Sequence, residues 1–205
     1  MHQKQYKWIT FILLLLTMRA TAQTQKERFT DKLYFPFGIG YLNSPHNNLQ
    51  AGIIVNMAAE YRFHSHHGMF LRLSYDNRSN SYKRDEINGT NITKGKLKFN
   101  DFLFGVGYRL NDEHRFHPFA LIQFGPSFCE YQQIISSNGT YQIKEKSKTV
   151  PVVKLLAGGE YYIGKSAAIT LDIGYIWSLK NTPFGQNHLN EGALSISIGL
   201  TTTLL

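Results

Sequence analysis

The chain has 205 residues, a formal net charge of +8 and a single cysteine, Cys129. One cysteine excludes a small secreted domain stapled by internal disulfides. The basic excess never forms a run of five Lys/Arg, and Lys4, Lys7 and Arg19 belong to the leader described next, so no nucleic-acid partner is indicated.

Residues 1–22 pair a basic start, with Lys4 and Lys7, with an apolar stretch from Trp8 to Met18 and an Ala20-Thr-Ala22 ending. This is the order of a cleaved signal peptide, and the stretch is shorter than the ~20 residues of a spanning helix. Residues 23–32 are then a short lead-in, and 33–205 form one domain.

Eight segments of that domain alternate apolar with small or polar residues, the period of two expected of strands. In chain order, the apolar sets are anchored by Leu33, Phe37 and Tyr41; Ile53, Met57 and Tyr61; Met69, Leu73 and Tyr75; Phe102, Val106 and Tyr108. They continue with Ala120, Ile122 and Phe124; Val153, Leu155 and Tyr161; Ile169, Leu171 and Ile173; and Leu194, Ile196 and Ile198. Ile176 is an apolar intruder on the polar face of its segment. Residues 43–50, 79–96, 134–147 and 181–190 read as long polar loops, and 64–67, 111–116 and 164–165 as short turns. Short turns at one end and long loops at the other suit an eight-stranded antiparallel up-and-down barrel that crosses a membrane. An even strand count puts both termini at the short-turn, periplasmic end.

A soluble, ligand-binding barrel in the periplasm would show the same alternation with the apolar face turned inward. Three features favour lipid outside. Glycines such as Gly105, Gly107, Gly158 and Gly174 fall on the polar face, where a narrow interior demands small residues. Aromatics such as Tyr41, Phe102, Phe128 and Trp177 cluster toward the loop end, and Phe63, Tyr108 and Tyr161 toward the turn end, as two interfacial girdles would. Charged residues share the glycine-rich face. Pro126 falls mid-strand on the apolar face and is expected to mark a bulge or a position above the lipid. Pro36, Pro118 and Pro151 are placed near strand ends.

The stretches Phe102-Leu-Phe-Gly-Val-Gly-Tyr-Arg-Leu110, Leu156-Ala-Gly-Gly-Glu-Tyr-Tyr-Ile163 and Leu194-Ser-Ile-Ser-Ile-Gly-Leu200 carry a family likeness. In them the sequence resembles the small outer-membrane barrels of the OmpA/OmpX type, most of all the PorT-like outer membrane protein beta-barrel family. The resemblance spans nearly all of the mature chain. It implies a bacterial outer-membrane location and, from the PorT-like barrels, an accessory part in a protein-secretion apparatus.

Candidate chemistry is sparse. Glu60, Arg62, Arg72, Asp101, Arg109, Lys154, Glu160 and Asp172 are read as a structural charge network in the lumen, because buried charges must be paired. Of these, Glu60, Arg62, Arg109 and Glu160 are placed near the turn end, and Arg72, Lys154 and Asp172 near the middle. His64, His66 and His67, with His114 and His117 at the same end, lack a carboxylate or Cys to complete a zinc site, so they read as solvated turns. An enzyme acting on outer-membrane lipid is the alternative. The chain lacks a His-x-Ser triplet, and the trio His46, Asp76 and Ser79 has no triad spacing. No cofactor is expected. Loop lysines and arginines, namely Lys83, Arg84, Lys94, Lys96, Lys144 and Lys146, are candidates to meet lipopolysaccharide phosphates. Four sequon matches begin at Asn77, Asn88, Asn91 and Asn138; they are read as loop composition. The expected function is therefore non-enzymatic: structural, surface-interaction or secretion-accessory.

Overall fold

The computed structural model describes residues 33–44, 50–63, 68–83, 94–110, 115–137, 140–164, 166–179, 182–184, 187–189 and 192–203. The strands are β1 (Leu33–Asn43), β2 (Gly52–Arg62), β3 (Met69–Lys83), β4 (Lys94–Arg109), β5 (Phe116–Ser137), β6 (Thr140–Tyr162), β7 (Ala167–Ser178), β8 (Thr182–Phe184), β9 (Asn187–Leu189) and β10 (Gly192–Thr203). Eight of them close an antiparallel barrel in the order β1-β10-β7-β6-β5-β4-β3-β2. Closure comes from β1 against β10, from Tyr34↔Thr203 to Asn43↔Leu194. The remaining two, β8 and β9, form a small separate sheet between β7 and β10. The proposed leader and lead-in lie outside the described residues.

The greasy face points outward. Ile39, Ile53, Leu73, Phe124, Leu171 and Ile198 are each more than half exposed. Their strand neighbours Ile54, Arg72, Gln123 and Thr170 are buried inside. A soluble barrel would need the reverse. With apolar side chains outside and the sheet closed on itself, the band suits hydrocarbon, which offers backbone groups no water. Aromatic contacts line both rims of this band. Tyr75, Phe102 and Phe128 touch in series with ring centroids 5.0 and 5.8 Å apart, and Tyr175 meets Trp177 at 5.8 Å. At the other rim Tyr61 and Phe63 meet edge to face at 5.4 Å.

The interior is as crowded as the glycine pattern implies. A Cβ at Gly107 would overlap the ring of Phe70, which fills the lumen there. Gly125 answers a different need: its Cβ would collide with the Phe102 carbonyl of the adjacent strand. That close approach accompanies Pro126. No bulge occurs: the β4–β5 register is the same at Asp101↔Ser127 above and Phe104↔Phe124 below, and only the rungs between lapse. The missing donor of Pro126 therefore faces β4. Its partner across β5–β6 is Pro151, whose nitrogen faces β7, where Leu179 N–H still donates to the Pro151 carbonyl at 2.9 Å. Pro36 makes the same kind of gap, the β1–β2 rungs lapsing at Phe35 and Pro36.

Two of the expected loops turn out to be strand. Residues 134–147 are mostly the protruding ends of β5 and β6, paired as far as Ser137↔Thr140, which leaves two residues for the turn. Asn138-Gly139 lie between them, outside the described residues; in sequence Asn-Gly is the dipeptide that signals a two-residue hairpin. Likewise β3 and β4 continue to Lys83↔Lys94, shortening the loop read at 79–96.

An arginine introduced on the lipid face should cost stability by depth. Ile198→Arg, near mid-strand, is expected to cost about 2–4 kcal/mol, and Leu179→Arg at the rim about 0–1 kcal/mol. Urea unfolding in lipid vesicles checks both; equal costs would contradict the placement of the hydrocarbon band.

Candidate functional site

The turn-end half of the lumen holds one connected cluster. β2 contributes Glu60 and Arg62, β3 Arg72, β4 Arg109, and β6 Glu160 and Tyr162. Register brings them level: Glu60 lies opposite Arg72, and Glu160 opposite His117. Glu60 accepts from Arg62 Nε at 2.6 Å, Arg72 Nη2 at 2.5 Å and Arg109 Nη2 at 2.8 Å. Glu160 accepts from Arg62 Nη2 at 3.0 Å, Arg109 Nη2 at 2.9 Å and the Tyr162 hydroxyl at 2.9 Å. Arg62 Nη1 also donates to the Tyr162 oxygen. Both carboxylates are fully buried, so only this density of charged donors offsets their desolvation. Three guanidiniums face two carboxylates here, and aromatic faces take up the excess. Arg62 lies 3.3 Å over the Tyr34 ring, and Arg109 4.7 Å from the centre of Phe70. His117 is buried against Tyr162, with ring centroids 5.0 Å apart.

At mid-height Lys154 Nζ donates to Asp76 at 2.6 Å, and Gln123 donates to Ser74 at 2.7 Å. Arg72, Asp76, Lys154 and Asp172 border a cavity of about 20 Å³. That is room for a single water, not for a substrate. Above it Ile54, Leu103, Val150, Val152 and Ile176 close the lumen with an apolar layer. Higher still, Arg78 grips Asp101 with two bonds, at 2.6 and 3.1 Å, and lies 4.3 Å from the Phe99 ring centre. Leu97, Phe99 and Cys129 pack above that pair. Alternating charged and apolar layers thus fill the barrel along its length. The formal charges balance: Arg62, Arg72, Arg78, Arg109 and Lys154 face Glu60, Asp76, Asp101, Glu160 and Asp172.

Several side chains lie elsewhere than the sequence suggests. Arg72 is not confined to mid-lumen: register sets it opposite Glu60, which it bonds, and it also borders the mid-height cavity. His117 is no solvated turn residue but a buried one, because its parity in β5 turns it inward. Arg78 was missed as a network member; Asp76, which shares the charged inner face, joins the network through Lys154. Arg78 sits inside the sequon match Asn77-Arg-Ser79, in what reads as the start of a loop. The signal that finds it is the alternation Arg72, Ser74, Asp76, Arg78, Asn80, all buried. The trio His46, Asp76 and Ser79 does not assemble: Asp76 is held by Lys154 inside, Ser79 is exposed on the outer face, and His46 lies outside the described residues. His64, His66, His67, His114, Arg84, Asn88, Asn91 and Asn138 also lie outside them. Asn77 is exposed and donates to Asn100 at 2.7 Å. Among the described residues, no group of His, Cys, Asp and Glu is arranged to hold a metal ion.

The lysines divide between two faces. Lys96 and Lys98 share the outward parity of Phe102 and are exposed on the membrane side of β4. Lys144 and Lys146 share the parity of Val150 and Val152, so they lie on the lumen-side face of the protruding β6, turned away from the surrounding leaflet. Lys83 and Lys94 oppose each other at the top of the β3–β4 ladder.

Removing one member of a buried pair should cost far more than removing both. Arg78→Met alone is expected to destabilise by about 3–5 kcal/mol, and Arg78→Met with Asp101→Leu by much less. Urea unfolding of the singles and the double, read as a cycle, measures the difference; a double as costly as the sum of the singles would show that the pair is not coupled.

A family profile described as the outer membrane protein beta-barrel domain matches residues 11–201. Among solved structures, the fold is similar to Neisserial surface protein A, at 12% identity and TM-score 0.54, covering 84% of this chain and 97% of that one. It is also similar to the outer membrane protein OprG from Pseudomonas aeruginosa, at 10% identity and TM-score 0.52, covering 84% and 97%. No curated protein sequence gives a significant match. With an eight-stranded barrel that turns its apolar face outward and buries its charges, and a profile match over most of its length, the chain belongs to the outer membrane protein beta-barrel family.

Proposed function

We propose that this chain is a non-enzymatic barrel that works through its long-strand end at the cell surface, with both termini in the periplasm. The observation that carries this reading is the filled lumen. Among the described residues, the charged and apolar layers border a cavity of about 20 Å³, too small for a solute path or an acyl chain. Transport through the barrel and catalysis inside it are both disfavoured by that filling. What remains for function is the part of the molecule above the hydrocarbon band, where β5 and β6 run to 22 and 23 residues against 11 or 12 for β1, β2, β7 and β10. A strand needs only about 9–11 residues to cross.

Lipopolysaccharide is the neighbour this geometry favours for Lys96 and Lys98. Both face the membrane side, and Lys98 stands four residues, roughly 13 Å along the strand, beyond the girdle residue Phe102. That is the level of headgroup phosphates, where ammonium groups form charge-assisted contacts. The PorT-like resemblance further supports a protein partner in a secretion apparatus.

Purified barrel in vesicles is expected to give no solute flux above empty vesicles and to leave labelled lipid A chemically unchanged. Lys96→Glu with Lys98→Glu is expected to reduce co-purifying lipopolysaccharide severalfold without loss of folded barrel. Flux or acyl transfer would overturn the non-enzymatic surface reading, and unchanged lipopolysaccharide the assignment of these lysines. Gentle detergent extraction that recovers no envelope protein would remove the secretion role.

A further inference from the structure

The upper part of β6 is a long strand with one side open among the described residues. Its ladder with β5 is continuous to Ser137↔Thr140, but its ladder with β7 begins only at Val152↔Ser178. Among the described residues, no strand pairs with 140–150 on the β7 side. Parity fixes which groups point there. Pro151 carbonyl accepts from Leu179 on that side, so the N–H and C=O groups of Ile143, Glu145, Ser147 and Thr149 face the same way. The top of β3 is treated differently. There Gln50 N–H donates to the Ser81 carbonyl at 2.7 Å, and the Asn80 side chain donates to the Gln50 carbonyl at 2.9 Å, so part of the edge is already covered.

An open edge of this length is a template for pairing, and lysines on such an edge are a common means of discouraging it. Here they do so selectively. Lys144, Lys146 and Lys148 recur at every second position on one face, all exposed, about 7 Å apart along the strand. A second copy of this edge would bring lysines opposite lysines, which like-charge repulsion disfavours. A strand with carboxylates at every second position would instead meet Lys144 and Lys146 with opposite charges, while its backbone satisfies the open edge. Repulsion of the wrong strand and attraction of the right one together give specificity.

We propose that the open edge of β6 at 142–149 takes up an extended acidic peptide segment as an added strand, its alternate carboxylates opposite Lys144 and Lys146. The proposal deepens the surface-interaction reading and rests on it. Pairing of backbone supplies the affinity, and the lysine face selects the side chains. At the membrane end Pro151 has no N–H to offer, so the added strand ends there.

The test uses the full barrel in lipid nanodiscs and a synthetic ten-residue peptide alternating Glu with Thr. A matched peptide alternating Lys with Thr, the Glu peptide N-methylated at alternate residues in either phase, and dextran sulfate serve as comparisons. The Glu peptide is expected to bind, the Lys peptide not. At least one N-methylated phase should lose about tenfold or more in affinity, as should the Ser147→Pro barrel, whose lost N–H faces the edge and not β5. Lys144→Glu with Lys146→Glu should reverse the preference between the two peptides. Heat-modifiable gel mobility confirms that each variant is folded. Binding that survives both N-methylation and Ser147→Pro, or dextran sulfate binding where the Glu peptide does not, would overturn strand addition and leave a polyanion surface only. Labelling of Thr149→Cys on intact cells by an impermeant maleimide keeps the two readings apart. Label without peptide binding sinks this proposal alone; no label sinks the surface orientation beneath it.

Discussion

Hydrocarbon offers no hydrogen bonds, and everything else in this molecule follows from that. Each strand must pair on both sides through the membrane, so the sheet closes and β1 meets β10 along most of their lengths. Closure at eight strands leaves an interior just wide enough for side chains. The apolar half of every strand then belongs to the lipid, and whatever polar residues remain must satisfy one another inside. The dense ion pairing around Glu60 and Glu160 is the result of that demand rather than an addition to the fold.

The same demand explains how prolines are carried. Pro36, Pro126 and Pro151 each lack a donor, yet no register shifts around the first two. The gap is opened toward one neighbour only, and the other ladder stays whole. At Pro126 the adjacent Gly125 lets the chains close up beside the Phe102 carbonyl. The expectation of a bulge assumed that a missing rung must displace the strand. Tight packing through both flanking segments holds it in place instead.

Alternation made the barrel legible from residues alone, because period two assigns each side chain to a face without knowledge of its neighbours. Leu194, Ile196 and Ile198, and Ile169, Leu171 and Ile173, are clear cases. Length was less legible. Above the membrane both faces meet water, so the protruding ends of β3, β4, β5 and β6 carry mixed polar residues and read as loops. Only Asn138-Gly139 marked the hairpin, and it was obscured by its match to a sequon. Arg78 went unnoticed for the same reason, and the division of the lysines between two faces needed the register to decide it. Partner choice within the charge cluster depends on register and reach: the β2–β3 pairing sets Arg72 opposite Glu60, while Arg109 bonds both Glu60 and Glu160, and no spacing within one strand announces either.

The arginine–glutamate cluster has a further effect on assembly size. Its members come from β2, β3, β4 and β6 and meet across the full width of the lumen. Barrel diameter grows with strand number. Inserting one more hairpin would draw Glu160 away from Arg62 and Arg109 and strand carboxylate and guanidinium in a widened interior. The ion pairs therefore act as a gauge of circumference: they reward a ring of eight and penalise a larger one, fixing stoichiometry from within while the lipid-facing surface stays indifferent to it.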